Sequence, residues 1–325
     1  MKPQSQRRAA FDIGSGATKL VVAEVVGSHV TTVLFGEERP VPFAIEWKKS
    51  ADGRLSDAIQ AQGLAVLRAL LEVCRQHGVE ITACRAVATE VFRKAANGGD
   101  FLQAVQSQLG LAVEVVSQEV EAELGFRTAV ALQDAPPQDI VCWDSGGASF
   151  QITSLDPAGG SLRSWVGALG SGNTTAMLVE GVQGHAFAER ATPNPVSATE
   201  AESLIAKLRS ELLPVPDWLR GASVTAIGGP NSMFCVANEA LHSRSYTVSE
   251  ARRALVSVLD LPDAEMAAKP FCQGELKEPP GLIVPKVCLL VAVMEHAAMA
   301  AVHFCPSIGS CQGLLISDER YSTSS

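Results

Sequence analysis

Ala9-Ala10-Phe11-Asp12-Ile13-Gly14-Ser15-Gly16-Ala17-Thr18-Lys19, running on into Leu20-Val21-Val22-Ala23, reads as strand, tight turn, strand, with an aspartate where the apolar run ends. About one domain later, Ile140-Val141-Cys142-Trp143-Asp144-Ser145-Gly146-Gly147-Ala148-Ser149-Phe150 repeats the pattern and continues into Gln151-Ile152-Thr153. Glycine lets a backbone approach an anion closely, and successive N–H groups in such a turn form a cradle for phosphate. Gly14, Ser15, Gly146, Gly147 and Ser149 are therefore candidate phosphate-binding residues. A carboxylate does not bind phosphate directly, so Asp12 and Asp144 are candidate ligands of Mg2+, or of water on it. Read singly, each glycine is equally well explained by hairpin geometry, and a lone Asp-x-Gly is most often an ordinary turn. Two copies in matching contexts favour duplicated lobes with a cleft that grips phosphate from both sides.

The bulk composition narrows the class. At 325 residues the chain has room for two domains with ample cores, and 47% hydrophobic with 19% charged residues is normal for a folded protein. A net charge of -9 argues against a nucleic-acid binder and leaves a polyanion only a local positive pocket and a metal ion. Eight cysteines lie scattered with no C-x-x-C pair, which reads as reduced, buried thiols in a cytosolic protein. The histidines form no H-x-H or H-E-x-x-H pattern, so a zinc site has no support. The first residues enter a strand too soon for a signal peptide. The most apolar stretch, 282–302, carries Pro285, Lys286, Glu295 and His296, as a buried helix does and a membrane span does not. The expected location is cytoplasmic, with neither membrane nor nucleic acid as partner.

Between 8 and 47, short β-branched runs predict three or four antiparallel strands. Apolar residues at helical spacing (Ala58, Leu64, Leu67, Leu70, Leu71, Cys74) predict a helix over 55–77 that stops at Gly78. A strand at 79–88, a short helix at 90–96 and a helix capped by Asp100 and closing near Gly110 follow. Next come a buried strand at 111–116 and a helix over 117–132 with an acidic first turn. Ala135-Pro136-Pro137 marks a hinge. Beyond it the pattern predicts strands at 151–155, 162–169 and 222–227. Helices are expected after Gly172 and over 199–212, 248–259 and 284–301, and the tail 321–325 is expected to be disordered. The division is two domains, 1–133 and 134–325. Their repeated hairpin, strands and helices give an α/β chain whose organisation resembles two actin-like (ribonuclease H-like) ATPase-fold domains with an interdomain cleft.

The ordered motifs resemble those of the exopolyphosphatase and guanosine pentaphosphate phosphatase (Ppx/GppA) family over nearly the whole chain. Asp12-Ile13-Gly14-Ser15 looks like the family's first phosphate loop and Asp144-Ser145-Gly146-Gly147-Ala148-Ser149 like its second. Ala88-Thr89-Glu90-Val91-Phe92-Arg93-Lys94-Ala95-Ala96-Asn97-Gly98 is similar to its Ala-Thr…Arg…Ala…Asn-Gly element. Val115-Val116-Ser117-Gln118-Glu119-Val120-Glu121-Ala122 resembles the segment with the catalytic glutamate, which matches Glu121. Ala226-Ile227-Gly228-Gly229 and Gln312-Gly313-Leu314-Leu315 resemble later signature turns. The chain ends where two-domain members end, so no third, HD-type domain is expected. Two-domain relatives pair into dimers, and the apolar 284–301 helix is open to two readings, homodimer face or core.

The departures are as informative. Gly16-Ala17 stands where the family has Asn-Ser, Lys19 where it has arginine, and Gln151 where it has glutamate. Cys311 and Gln312 replace the arginine and glutamate of an Arg-Glu-Gly turn, and Pro230 replaces a threonine. The resemblance implies Mg2+-dependent hydrolysis of phosphoanhydride bonds in polyphosphate or guanosine pentaphosphate, with Glu121 as base and Arg93, assisted by Lys19, neutralising phosphate. Read without it, Glu119, Glu121 and Glu123 complement a helix N-terminus, Arg93 a C-terminus, and Lys19 is an edge residue. The departures keep open a second reading, a catalytically weakened regulator that binds guanosine polyphosphate or polyphosphate. An ATP-using kinase or ATPase on the same fold is a third.

Overall fold

The computed structural model describes residues 5–133, 135–187, 192–273 and 278–317. Two compact units emerge, Met1–Pro137 with Ser307–Ser325, and Gln138–Pro306. The first crossing falls beside Pro136 and Pro137. The sequence division had given everything after 133 to the second domain, whereas 307–317 packs with the first unit.

In the first unit β1 (Gln6–Ile13), β2 (Ala17–Val26) and β3 (His29–Pro40) form an antiparallel meander. Then come α1 (Phe43–Lys49), α2 (Asp57–Gln76), β4 (Cys84–Ala88), α3 (Glu90–Lys94), α4 (Gly98–Leu109), β5 (Val113–Val115) and α5 (Gln118–Leu132). The sheet order is β3-β2-β1-β4-β5, with β4 parallel to β1 and β5 parallel to β4. β1 is buried on both faces from Arg8 onward, which is why it reads as an unbroken apolar run rather than an alternation. α2 is capped by Ser56, whose hydroxyl accepts from Ile59 N–H, and it ends before Gly78 in the left-handed region. Gly63 lies inside α2 because a Cβ there would fall 2.7 Å from the Phe43 ring and 2.9 Å from the Phe101 ring.

Four expectations shift. The strands expected as far as 47 end at Pro40, and Phe43–Lys49 is the helix α1. The strand at 79–88 begins only at Cys84, after a 3-10 turn at Ile81–Ala83. The strand at 111–116 shrinks to the three-residue edge β5, whose Glu114 and Val115 are exposed; the burial that suggested a longer strand belongs to flanking Leu111 and Val116. α4 starts at Gly98, two positions before the expected Asp100 cap, with Asn97 in the capping position.

The second unit opens with β6 (Val141–Ser145), β7 (Phe150–Leu155), β8 (Leu162–Gly167), α6 (Ser171–Gly181) and α7 (Ala198–Glu211). It continues with β9 (Ser223–Gly228), α8 (Met233–Leu241), β10 (Ser245–Tyr246), α9 (Val248–Val256), α10 (Asp263–Ala267), α11 (Ile283–His296) and β11 (Ala301–Pro306). Its sheet order, β10-β11-β9-β6-β7-β8, repeats the first unit's order with β11 in the role of β5 and a short β10 added at the edge. Both units are thus actin-like α/β domains. α11 is shorter than the expected 284–301 helix: Ala298 turns the chain at φ 50°, and the apolar run continues as β11. Every residue from Ile283 to Met294 is buried within this unit, so α11 is core. No described helix is long and apolar enough to cross a membrane. All eight cysteines are unbridged, and six of them are buried.

The chain ends its described course with α12 (Cys311–Leu315) in the first unit. Cys311, Leu314 and Leu315 complete a small core with Ala10, Val21, Ala23, Val25, Val87, Val116 and Leu124. Arg8 Nη1 donates to the Leu315 carbonyl at 3.0 Å, and Gly313 N–H to Thr128 Oγ1 at 2.8 Å. The expected disordered tail, 321–325, lies outside the described residues.

Candidate active site

The two Asp-x-Gly turns are built alike. Gly14 N–H donates to the Ala17 carbonyl at 2.9 Å, and Gly146 N–H to the Ser149 carbonyl at 2.9 Å. In the first turn the Ser15 and Gly16 carbonyls accept from Ala44 N–H (2.8 Å) and Val41 N–H (3.1 Å). In the second, the Gly146 and Gly147 carbonyls accept from Ser171 N–H (3.3 Å) and Gly172 N–H (2.8 Å), while Asn173 Nδ2 donates to the Ala148 carbonyl at 2.8 Å. With these carbonyls committed, what each loop offers a ligand is N–H groups and hydroxyls, the donor set for an anion. Gly170 permits the second arrangement, since a Cβ there would fall 2.3 Å from Ala148 N and 2.6 Å from the Gly146 carbonyl oxygen.

In the first unit, the buried Asp12 carboxylate accepts from Ser310 N–H at 3.0 Å through Oδ2, and Lys19 Nζ stands 3.5 Å from the same oxygen. A Cβ on Gly14 would be 3.7 Å from Lys19 Nζ, so the ammonium sits at the loop. Farther along the sheet, Arg93 at the end of α3 meets Glu121 in the opening turns of α5. Arg93 Nη1 and Nη2 each lie 3.2 Å from Glu121 Oε2, and Nη1 also donates to the Val116 carbonyl at 2.6 Å. Ser117 caps α5 through Val120 N–H, which fixes where Glu121 leaves the helix. Thr89 N–H reaches the Ile13 carbonyl at 3.3 Å, tying the start of the Arg93 segment to the end of β1.

The second unit holds Asp144, Gly146, Gly147 and Ser149 on one hairpin, with Asp144 half-buried opposite Gln151 in the β6–β7 register. Gln151, nearly fully buried, donates through Nε2 to Ser149 Oγ at 3.3 Å. A glutamate there would be an acceptor and would draw the Ser149 proton to itself. The amide leaves that proton to point elsewhere.

Several residues with a share in these sites were either quoted above only within a motif or not named from sequence at all. Asn97 bonds Leu55 twice, accepting from its N–H at 2.8 Å and donating to its carbonyl at 2.9 Å. A Cβ at Gly98 would fall 2.6 Å from the Phe92 carbonyl oxygen. The Asn-Gly element therefore fixes the α3–α4 corner that carries Arg93. Glu38, register partner of Lys19, and the Gly309–Ser310 turn are likewise visible only in the fold. Cys311 is fully buried, its thiol pushed well above its ordinary range by desolvation first and Asp12 second.

Among the described residues no three His, Cys, Asp or Glu side chains gather as a metal cluster. Asp12 is already opposed by an ammonium and bonded by a backbone N–H, both at Oδ2, so its charge is balanced without a metal ion.

Residues 20–174 match the sequence profile of the Ppx/GppA phosphatase family. That span contains Arg93, Glu121 and the whole second loop. Over that span the chain is similar to the Ppx/GppA phosphatase family. The fold carries the likeness to Ppx/GppA proteins over the rest of the chain. A family member from Aquifex aeolicus is 20% identical, with a TM-score of 0.71 over 99% of this chain and 100% of that one. An exopolyphosphatase from Cytophaga hutchinsonii is 18% identical, with a TM-score of 0.74 over 96% and 97%. An exopolyphosphatase-like protein is also 18% identical, with a TM-score of 0.77 over 97% and 98%. At such identities the likeness is one of fold. Within the Ppx/GppA pattern, Gly16 opens onto free space, where a Cβ would meet nothing within 4 Å.

Proposed function

We propose that this protein hydrolyses phosphoanhydride bonds, releasing orthophosphate from the end of a polyphosphate or from guanosine pentaphosphate. The observation that carries this reading is the Arg93–Glu121 pair: a guanidinium and a carboxylate from separate helices, held within 3.2 Å of each other inside the span that matches the family. Hydrolysis needs a water in line with the P–O bond, positive charge on the phosphate oxygens and an acceptor for the water's proton.

Without substrate, Arg93 is hydrogen-bonded to Glu121. A terminal phosphate competes for the guanidinium. As Arg93 turns to the phosphate oxygens, Glu121 is released to accept a proton from the attacking water. The water oxygen bonds to the terminal phosphorus, the bridging P–O bond breaks toward the shortened chain, and the water's proton passes to Glu121. Lys19 and the N–H groups of the first loop add charge neutralisation. Mg2+, if bound, would neutralise phosphate charge, and Asp144 is the carboxylate of the second loop that would hold it. A net charge of -9 with no basic run favours a short polyphosphate or a nucleotide over a long chain.

The test is phosphate release from medium-chain polyphosphate and from guanosine pentaphosphate with Mg2+, against Glu121→Gln. Loss of release in the variant supports this reading, and full activity in it removes Glu121 as the base. A second reading, a binding regulator with lost turnover, is favoured by the neutral, buried Cys311 and by Gln151. Saturable binding of a guanosine polyphosphate without release would select it.

A further inference from the structure

β1, β2 and β3 set three charged residues in one cross-strand row. Asp12 is the register partner of Lys19, and Lys19 that of Glu38. Directly opposed residues share a face of the sheet, so acid, base and acid stand side by side. The side chains of Asp12 and Lys19 are 7% and 19% exposed, so this pair is largely withdrawn from solvent.

A turn from the far end of the sequence closes over the pair. Gly309 adopts φ 53°, and a Cβ there would lie 2.3 Å from Asp12 Oδ2 and 2.5 Å from Lys19 Cδ. Any other residue would be strained there and would push the Asp12 and Lys19 side chains aside. The next residue, Ser310, donates its N–H to Asp12 Oδ2 at 3.0 Å and leads into α12. One carboxylate oxygen therefore serves two ends: the lysine at the first loop and the entry to the last helix.

We infer that Asp12 is a positioning residue rather than a metal ligand. Its carboxylate sets the Lys19 ammonium at the Gly14 turn and docks the Gly309–Ser310 turn that walls the lysine in. The anion met by this preset charge is the terminal phosphate of the reading above, on which the catalytic consequence rests. The clamp itself does not depend on it.

Asp12→Asn keeps the shape and an oxygen for Ser310 N–H but removes the charge that orients Lys19. Lys19, left with Glu38 alone across the strands, still attracts the anion, so KM holds or falls while kcat drops about tenfold, and the Mg2+ concentration for half-maximal rate stays within about twofold. A rise of about tenfold in that concentration, with excess Mg2+ restoring kcat, would make Asp12 a metal ligand and overturn the inference. Lys19→Arg retains kcat and Lys19→Met loses it; equal loss in both would also count against an orienting role.

Two measurements need no turnover. In the wild-type protein the Ser310 amide exchanges hydrogen slowly, and rapid exchange there would overturn the docking. In denaturant unfolding, Asp12→Asn and Lys19→Met are non-additive, and strict additivity would overturn the clamp. If the wild type releases no phosphate from any phosphoanhydride, the proposed activity fails while these two results still decide the inference.

Discussion

Both terminal nitrogens of Arg93 point at a single oxygen of Glu121, each at 3.2 Å, across a separation of 28 residues. The third contact, Arg93 Nη1 to the Val116 carbonyl at 2.6 Å, anchors the guanidinium to the segment entering α5. A base held this way is switched by whatever draws the arginine off it. Arg93→Ala therefore costs activity twice over, removing phosphate neutralisation and leaving Glu121 without its orienting partner. The expected loss in kcat/KM is about a hundredfold or more, and Arg93→Lys recovers only part of it because an ammonium lacks the fork. Steady-state phosphate release checks both.

The Gln151–Ser149 bond predicts a change in metal requirement. Gln151→Glu places a second acid opposite Asp144 and turns the Ser149 hydroxyl inward as a donor. Phosphate affinity without Mg2+ falls, and the rate with Mg2+ gains a steeper dependence on its concentration. Ser149→Ala alone lowers affinity without that steepening. Titrating Mg2+ at fixed substrate separates the two variants.

Asn97 is a stability residue. Its side-chain amide bonds both backbone groups of Leu55 in a buried setting. Asn97→Ala leaves that donor and that acceptor unsatisfied and costs about 2–4 kcal/mol, read from urea unfolding. Asn97→Asp, ionised, keeps the acceptor and loses the donor, so it falls between alanine and wild type.

Alkaline pH loosens the second unit. Burial first, with Glu239 adding, pushes the Cys235 thiol up to about 11 from an ordinary 9.0. Burial, with Glu278 adding, does the same for Cys272. From pH 9 to 11 the unfolded chain has shed protons that the folded chain keeps, so rising pH favours unfolding. Stability from these thiols is full below pH 9 and is lost as pH climbs through 11. Denaturant midpoints at pH 8, 9 and 10 should fall progressively over the last two, and Cys235→Ser with Cys272→Ser should lessen that fall, the other buried thiols supplying the rest.

What could be read from sequence was what is local. The Asp12-x-Gly14 and Asp144-x-Gly146 turns are set by a few adjacent residues, and the identical 2.9 Å closing bonds follow from that. Ser56 and Ser117 announce α2 and α5 by the same kind of short-range chemistry. The meeting of Arg93 with Glu121 was not legible from spacing, because it depends on β4 and β5 lying parallel and bringing α3 beside α5. Neither was the end of α11: Ala298 makes the turn with no glycine or proline to mark it, inside an apolar run that changes period without changing composition. Asp100 looked like a cap because the residue that took the position, Asn97, spends its side chain on a strand-like partnership with Leu55 that lies 42 positions away.

The chain leaves the first unit at Pro137 and re-enters it at Ser307, so Asp12 waits for Ser310 through the synthesis of the entire second unit. A ribosome delivers the hydrophobic patch of Ala10, Val21, Val25 and Leu124 early and its cover, Leu314 and Leu315, nearly last. Until then the nascent first unit carries an open seam that a chaperone or a neighbouring nascent chain can find. Stop codons or frameshifts that remove only the final helix therefore harm the lobe translated first, and a truncated product fails at its amino-terminal end.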